Sequence, residues 1–70
     1  MIRLKVKEIA RQKGMSQGKL SRASDVNLTT IQLIYRKPAE ANITLYTLDR
    51  LAKALGVDAR DLIESIPDEL

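Results

Sequence analysis

The chain opens on an alternation of apolar Ile2, Leu4 and Val6 with basic Arg3 and Lys5, which predicts an extended start. From Val6 the spacing turns helical. Val6, Ile9, Ala10 and Lys13 fall on one stripe, and Gly14 suits the position just past a helix end. Met15 is expected to pack between this helix and the next. Ser16 is a good N-cap, and Leu20 and Ala23 then lie one turn apart on a second helix over 16–23. Ser24-Asp25 interrupts the pattern, Asp being one of the few non-glycine residues that tolerates a left-handed turn. Val26 fills the corner. Asn27 caps a third helix over 27–35, which ends by Lys37 because Pro38 disfavours helical angles there. A loop follows, closed by Ile43. Thr44 caps a fourth helix from Leu45 to Leu55, with Gly56 as its stop. Asp58, with Asp61 three residues on, has the spacing of a capping box for a fifth helix carrying Leu62, Ile63 and Ile66 and closed by Pro67. The fold class read from this pattern is all-α: five short helices around one core, with Leu48, Leu51, Leu55, Leu62 and Ile63 among the core residues.

Seventy residues are read as one domain, near the lower limit for a self-sufficient core. Without cysteine, neither a disulfide nor a thiolate metal site can help, and a reducing cytoplasm is the natural home. Burying a Leu, Ile or Val is worth roughly 1.5–3 kcal/mol, so about a dozen well-placed aliphatics suffice. Nothing resembles a membrane span or the apolar region of a secretory signal. Aromatics are confined to Tyr35 and Tyr46, which argues against single-strand or RNA binding by base stacking.

The third helix changes the picture. At about 100° per residue, Ile31 and Ile34 share one face, flanked by Tyr35, while Thr29, Gln32, Leu33 and Arg36 collect on the other. That outer face mixes an amide, a hydroxyl, an exposed aliphatic and a cation. Gln pairs bidentately with adenine, Thr serves either base type, Leu and Thr methyls touch a thymine methyl, and Arg holds phosphate or guanine. A helix that is merely solvated more often carries Glu/Lys pairs four residues apart.

Charge agrees with this. The net +3 is unevenly spread: residues 1–23 carry seven cations against Glu8 alone, whereas residues 38–70 carry three cations against seven carboxylates. The basic end includes the candidate reading helix, as a polyanionic partner requires.

Gln17, Leu20, Val26, Asn27, Thr30-Ile31 and Ile34-Tyr35, followed by Ile43-Thr44-Leu45, Leu48, Leu51-Ala52, Ala54-Leu55-Gly56-Val57 and Asp61-Leu62-Ile63, resemble the helix-turn-helix domain of phage Cro and repressor proteins and their xenobiotic-response-element (XRE) relatives. The resemblance runs from about Val6 to Ile66, its specificity lying in the order and spacing of the pieces. Three departures stand out: Asp25 where the family usually has Gly, Ser21 where it usually has Ala, and Arg36-Lys37-Pro38 in place of the commoner Asn-Gly-Lys. The resemblance implies a repressor-like DNA-binding domain whose motif spans 16–36. It also implies that the Gln17 amide binds phosphate at the start of the second helix.

The expected function is sequence-specific binding of double-stranded DNA by a transcriptional regulator. Asn27, Leu28, Thr29, Gln32 and Leu33 are expected at base edges; Gln17, Lys19, Arg22, Arg36 and Lys37 are expected on phosphates. Gly18 is either a harmless small residue or a place where phosphate nears free backbone N–H groups. The alternative function is an antitoxin-like or adaptor module that binds protein on the same scaffold. An enzyme is not expected: there is no His and no Cys, and the carboxylates sit where helix capping explains them. No cofactor, metal, membrane or small-molecule partner is expected. A homodimer is, with the interface at Ile66 and Leu70 or along an edge strand formed by Met1–Val6.

Overall fold

The computed structural model describes residues 1–67. Its elements are β1 (Ile2–Leu4), α1 (Val6–Gln12), α2 (Gln17–Ser24), α3 (Leu28–Arg36), α4 (Leu45–Leu55), a one-turn 3-10 helix (Ala59–Leu62) and β2 (Ile63–Ser65). Four α-helices and a two-stranded ribbon replace the five helices expected.

The helix ends are set by local chemistry. Gly14, at φ 67°, stops α1: its N–H bonds the Arg11 carbonyl and the Met15 N–H bonds Ala10, both carbonyls that α1 cannot satisfy. Gly56, at φ 70°, ends α4 in the same way, with its N–H on Lys53 and that of Val57 on Ala52. Met15 and Val57 pack against the core from these corners. Thr44 Oγ1 accepts from the Thr47 N–H at 3.1 Å and starts α4.

The capping box at Asp58 forms as its spacing predicts. Asp58 Oδ1 accepts from the Arg60 N–H at 3.0 Å, and Asp61 Oδ2 accepts from the Asp58 N–H at 3.3 Å. It opens only one 3-10 turn, however, and Ile63 is already extended at φ −124°, ψ 148°. Two causes act together. Pro67 disfavours helical angles at Ile66 and so limits any helix here to about two turns. The extended path instead lets the segment pair with the start of the chain: β1 and β2 are antiparallel, with Ile2 opposite Ser65, Arg3 opposite Glu64 and Leu4 opposite Ile63. The Lys5 N–H bonds the Leu62 carbonyl at 2.7 Å and the Ile66 N–H bonds Met1 at 2.8 Å, extending the ladder at both ends.

The core is one cluster built from every element but β2: Leu4, Val6, Ala10, Leu20, Val26, Ile31, Ile34, Leu48, Leu51, Ala52, Leu55 and Leu62. Ile63, expected in the core, is 36% exposed: it lies opposite Leu4 on the ribbon and lines the open groove beside α4, where its side chain is only partly covered. Ile66 is half-buried, and Leu70 lies outside the described residues. No helix among the described residues is long and apolar enough to cross a membrane.

Arg3 fastens the ribbon to α1, reaching Glu64 at 2.9 Å and Glu8 at 2.7 Å. Burial pushes the Glu8 carboxyl up, but the hydrogen bond from Arg3, a backbone hydrogen bond and the fields of Arg3 and Lys7 outweigh it and hold Glu8 below its ordinary value of 4.5. Its stabilising effect is therefore complete above that value and is lost as pH falls through the lower folded value. Acidifying from neutral should lower the Tm of the parent protein more than that of Glu8→Gln, by no more than a few degrees because the pair is partly solvated. Thermal melts of both proteins across that range check this; parallel curves would remove Glu8 from the account.

Candidate nucleic-acid interface

The arrangement of α2 and α3 begins with the turn between them. Ser16 Oγ accepts from the Lys19 N–H at 3.2 Å and starts α2. Asp25 ends it in the left-handed region, at φ 57° and ψ 32°, the only described non-glycine residue with positive φ. Asn27 Oδ1 accepts from the Thr29 N–H at 2.8 Å and starts α3. Two serines tie the corner across the turn. Ser21 Oγ donates to the Val26 carbonyl at 2.7 Å. Buried Ser24 donates from Oγ to the Leu20 carbonyl at 2.6 Å and accepts from the Val26 N–H at 3.3 Å. A fourth element holds the turn from outside: Arg50 on α4 reaches Asp25 at 2.6 Å, its guanidinium lying 5.1 Å from the centre of the Tyr46 ring.

Ile31 and Ile34 are fully buried, and this fixes the rotation of α3 about its axis. Thr29, Gln32, Leu33 and Arg36 then point outward, together with Asn27 and Leu28 at the start. Leu28 is 40% and Leu33 38% exposed, so each offers an apolar surface on that outward face. The Asn27 side-chain oxygen already accepts one bond in its cap, while the amide NH2 is not used by it. Gln17, half-buried, shares a notch with Gln32, Tyr35 and Arg36, which brings the start of α2 against the middle and end of α3. Lys19 and Arg22 are exposed on α2. The Arg22 guanidinium lies back over Gly18, with Nη1 3.5 Å from the place a Cβ would occupy. That distance is ordinary contact, so Gly18 is a small residue beneath an arginine. Lys37 is also exposed but already pairs with Glu40 at 3.5 Å.

Ion pairing sorts the charges. Arg3, Lys37, Arg50, Lys53 and Arg60 are each within 4 Å of a carboxylate. The remaining seven of the twelve Lys and Arg residues, Lys5, Lys7, Arg11, Lys13, Lys19, Arg22 and Arg36, have no such partner among the described residues. All seven lie on α1, α2, α3 or the residues flanking α1. The cations of the second half are all paired, Arg50 with Asp25 at the corner and Lys53 and Arg60 with carboxylates of their own half, while these seven are not.

A family model, the Cro/C1-type helix-turn-helix DNA-binding domain, matches residues 5–68. The chain belongs to that family. It is a DNA-binding family, not an enzymatic one. No curated protein matches the chain significantly. Within this Cro/C1-type domain, α2 and α3 are the helix-turn-helix pair, and Asp25 stands at the left-handed corner. Sequence reasoning placed the corner and its three caps but missed Ser21, Ser24 and Arg50. The two serines carried a usable signal, being three residues apart on the last turn of a helix that ends at an Asp. Arg50 carried none, since it acts on Asp25 from 25 residues away.

The corner yields a prediction. Asp25→Ala puts an ordinary side chain into left-handed angles and removes the partner of Arg50, and should cost about 1–2 kcal/mol in denaturant unfolding. Asp25→Gly removes the same carboxylate but accepts the angles, and should stay within about 1 kcal/mol of the parent. Equal losses for both would mean that the ion pair, not the backbone, governs the turn.

Proposed function

We propose that the protein is a sequence-specific regulator of transcription that seats α3 in the major groove of duplex DNA. The observation that carries this reading is the coincidence of two arrangements on the same three helices: an outward face on α3 rich in groups that read base edges, and all seven unpaired Lys and Arg residues. A protein-binding adaptor would give the unpaired cations no purpose. The cytoplasm, with its DNA, is the compartment this reading implies.

Contacts divide by role. Asn27, Leu28, Thr29, Gln32 and Leu33 face base edges; Gln17, Lys19, Arg22, Arg36 and Lys37 hold phosphates. The Lys37–Glu40 pair is no obstacle, because so exposed a pair is worth little and yields to a phosphate.

A nine-residue helix rises only about 13 Å and reads a few base pairs. Two copies, with their helices one DNA turn apart at about 34–36 Å, supply the missing specificity. The ribbon edge is a poor interface for them. Antiparallel pairing turns the polar groups of Ile2 and Leu4 outward, and the Leu4 N–H is already taken by the Pro38 carbonyl at 2.9 Å. Ile66 is half-buried with its backbone bound to Met1. An apolar groove between the ribbon face and the start of α4 serves better. Ile2, Leu4, Ile43, Leu48 and Ile63 line it, no lining residue is charged, and Leu45, also in its wall, is 83% exposed. A two-fold axis there lets each Leu45 enter the partner's groove, a contact that is self-complementary as such an axis demands.

Two experiments test these assignments. Across a panel of duplexes drawn from a random-library selection, Arg36→Ala should weaken all sites alike and flatten the log–log salt slope by about one. Gln32→Ala should cost about 1–3 kcal/mol at one base pair and relax preference there. The same behaviour in both variants would refute the division of roles. Separately, sedimentation with a duplex holding two half-sites should show two chains per duplex for the parent and loss of the paired species for Leu45→Glu. Strict one-to-one binding by the parent would sink the dimer.

A further inference from the structure

We propose that Lys7 and Arg11 of α1 form, together with Tyr35 of α3, an additional site for a backbone phosphate of the duplex, outside the helix-turn-helix pair. The inference rests on the DNA-binding reading above and names a part of the surface that reading leaves unused.

Four unpaired cations, Lys5, Lys7, Arg11 and Lys13, belong to α1 and its flanks and take no part in the contacts assigned so far. Lys7 and Arg11 are four residues apart, hence on one side of α1. With Arg3, Glu8, Tyr35 and Pro38 they line a shallow open notch between α1 and the end of α3. Glu8, the only acid in that lining, is held by Arg3 at 2.7 Å and feels Lys7 only through its field, so neither Lys7 nor Arg11 is in an ion pair. Arg3 is itself shared with Glu64. The notch therefore presents two uncommitted cations.

Tyr35 connects this notch to the reading surface. The same side chain lines the neighbouring notch formed by Gln17, Gln32 and Arg36. A phosphate strand that passes Gln17 and Arg36 thus reaches Arg11 and Lys7 by continuing past one tyrosine. Burial raises the Tyr35 pKa against the opposing field of Arg11, so its hydroxyl stays protonated at neutral pH as a donor. The notch is open and has no enclosed pocket for a small anion, which favours a phosphodiester held by its neighbours over free phosphate.

The test uses the full chain and the best duplex from a random-library selection, with affinity measured as a function of salt. Lys7→Gln/Arg11→Gln should flatten the log–log slope by about 0.9, the loss of one phosphate contact, with the base preference unchanged. Arg11→Gln alone, at an exposed position, should flatten it by about half as much; Arg60→Gln, whose residue pairs with Asp58 on the 3-10 turn, should leave it unchanged. Inorganic phosphate at constant ionic strength should not compete. An unchanged slope in both notch variants, while the parent binds with a steep one, would overturn this site and leave the DNA-binding reading intact. Competition by inorganic phosphate that is lost in Arg11→Gln would replace the duplex contact by a small-anion site. Absence of any salt dependence in the parent would remove both proposals together.

Discussion

The burial of Ile31 and Ile34 decides more about this molecule than any other contact. A nine-residue helix with no acidic residue in its first turn is too short to persist alone in water. It exists because its inner face is packed, each buried isoleucine contributing roughly 1.5–3 kcal/mol. The same packing fixes the helix's rotation, and through it which side chains meet a partner. Turning α3 by one residue, about 100°, would bring Gln32 and Tyr35 into the core and carry the isoleucines into solvent. Stability and the identity of the reading face are thus one constraint. Everything around α3 supports it: Val26 fills the corner, and Leu20 and Leu51 are buried in the same core.

The ribbon solves a different problem. Four short helices leave the core open at the end where the chain begins and returns. Leu4 and Leu62, at the end of β1 and just before β2, are buried there, and the strands pair around them. Three residues per strand give a ribbon too small to stand alone. It is held by the leucines beneath it and by Arg3, which joins both strands to α1. The outward consequence is the apolar groove beside α4: the ribbon face that seals the core with Leu4 also carries Ile2 and Ile63, which are only half covered.

What the sequence makes legible follows from range. Caps and stops are local, and Ser16, Asn27, Thr44, Asp58, Gly14 and Gly56 all act where their side chains or backbone freedom imply. The faces of α3 and α4 follow from periodicity, and the left-handed Asp25 follows from residue type. The fifth helix fails for the same reason: the capping box at Asp58 is real, but it opens a single turn rather than a short helix reaching Ile66. Whether the chain then coils or extends depends on a partner strand some 60 residues earlier, which no local pattern records. The alternation of Ile2 to Val6 did signal one half of that ribbon. Its other half, Ile63-Glu64-Ser65, sits between a cap and a proline and looks as much like a helix end as a strand. The reach of Arg50 to Asp25 belongs to the same class, being a contact created by folding.

Charge completes the argument by linking fold and partner. Among the described residues of the second half, Glu40, Asp49, Asp58 and Glu64 each have a cation within 4 Å, on Lys37, Lys53, Arg60 and Arg3, so much of that surface is compensated pair by pair. The first three helices carry seven cations with no such compensation, and like charges crowded on a small domain oppose its compact state. Added salt screens that repulsion and also weakens the attraction of a polyanion. A DNA duplex, the partner class of this family, differs from salt: a ligand that binds the folded chain and not the unfolded one shifts the equilibrium toward folding.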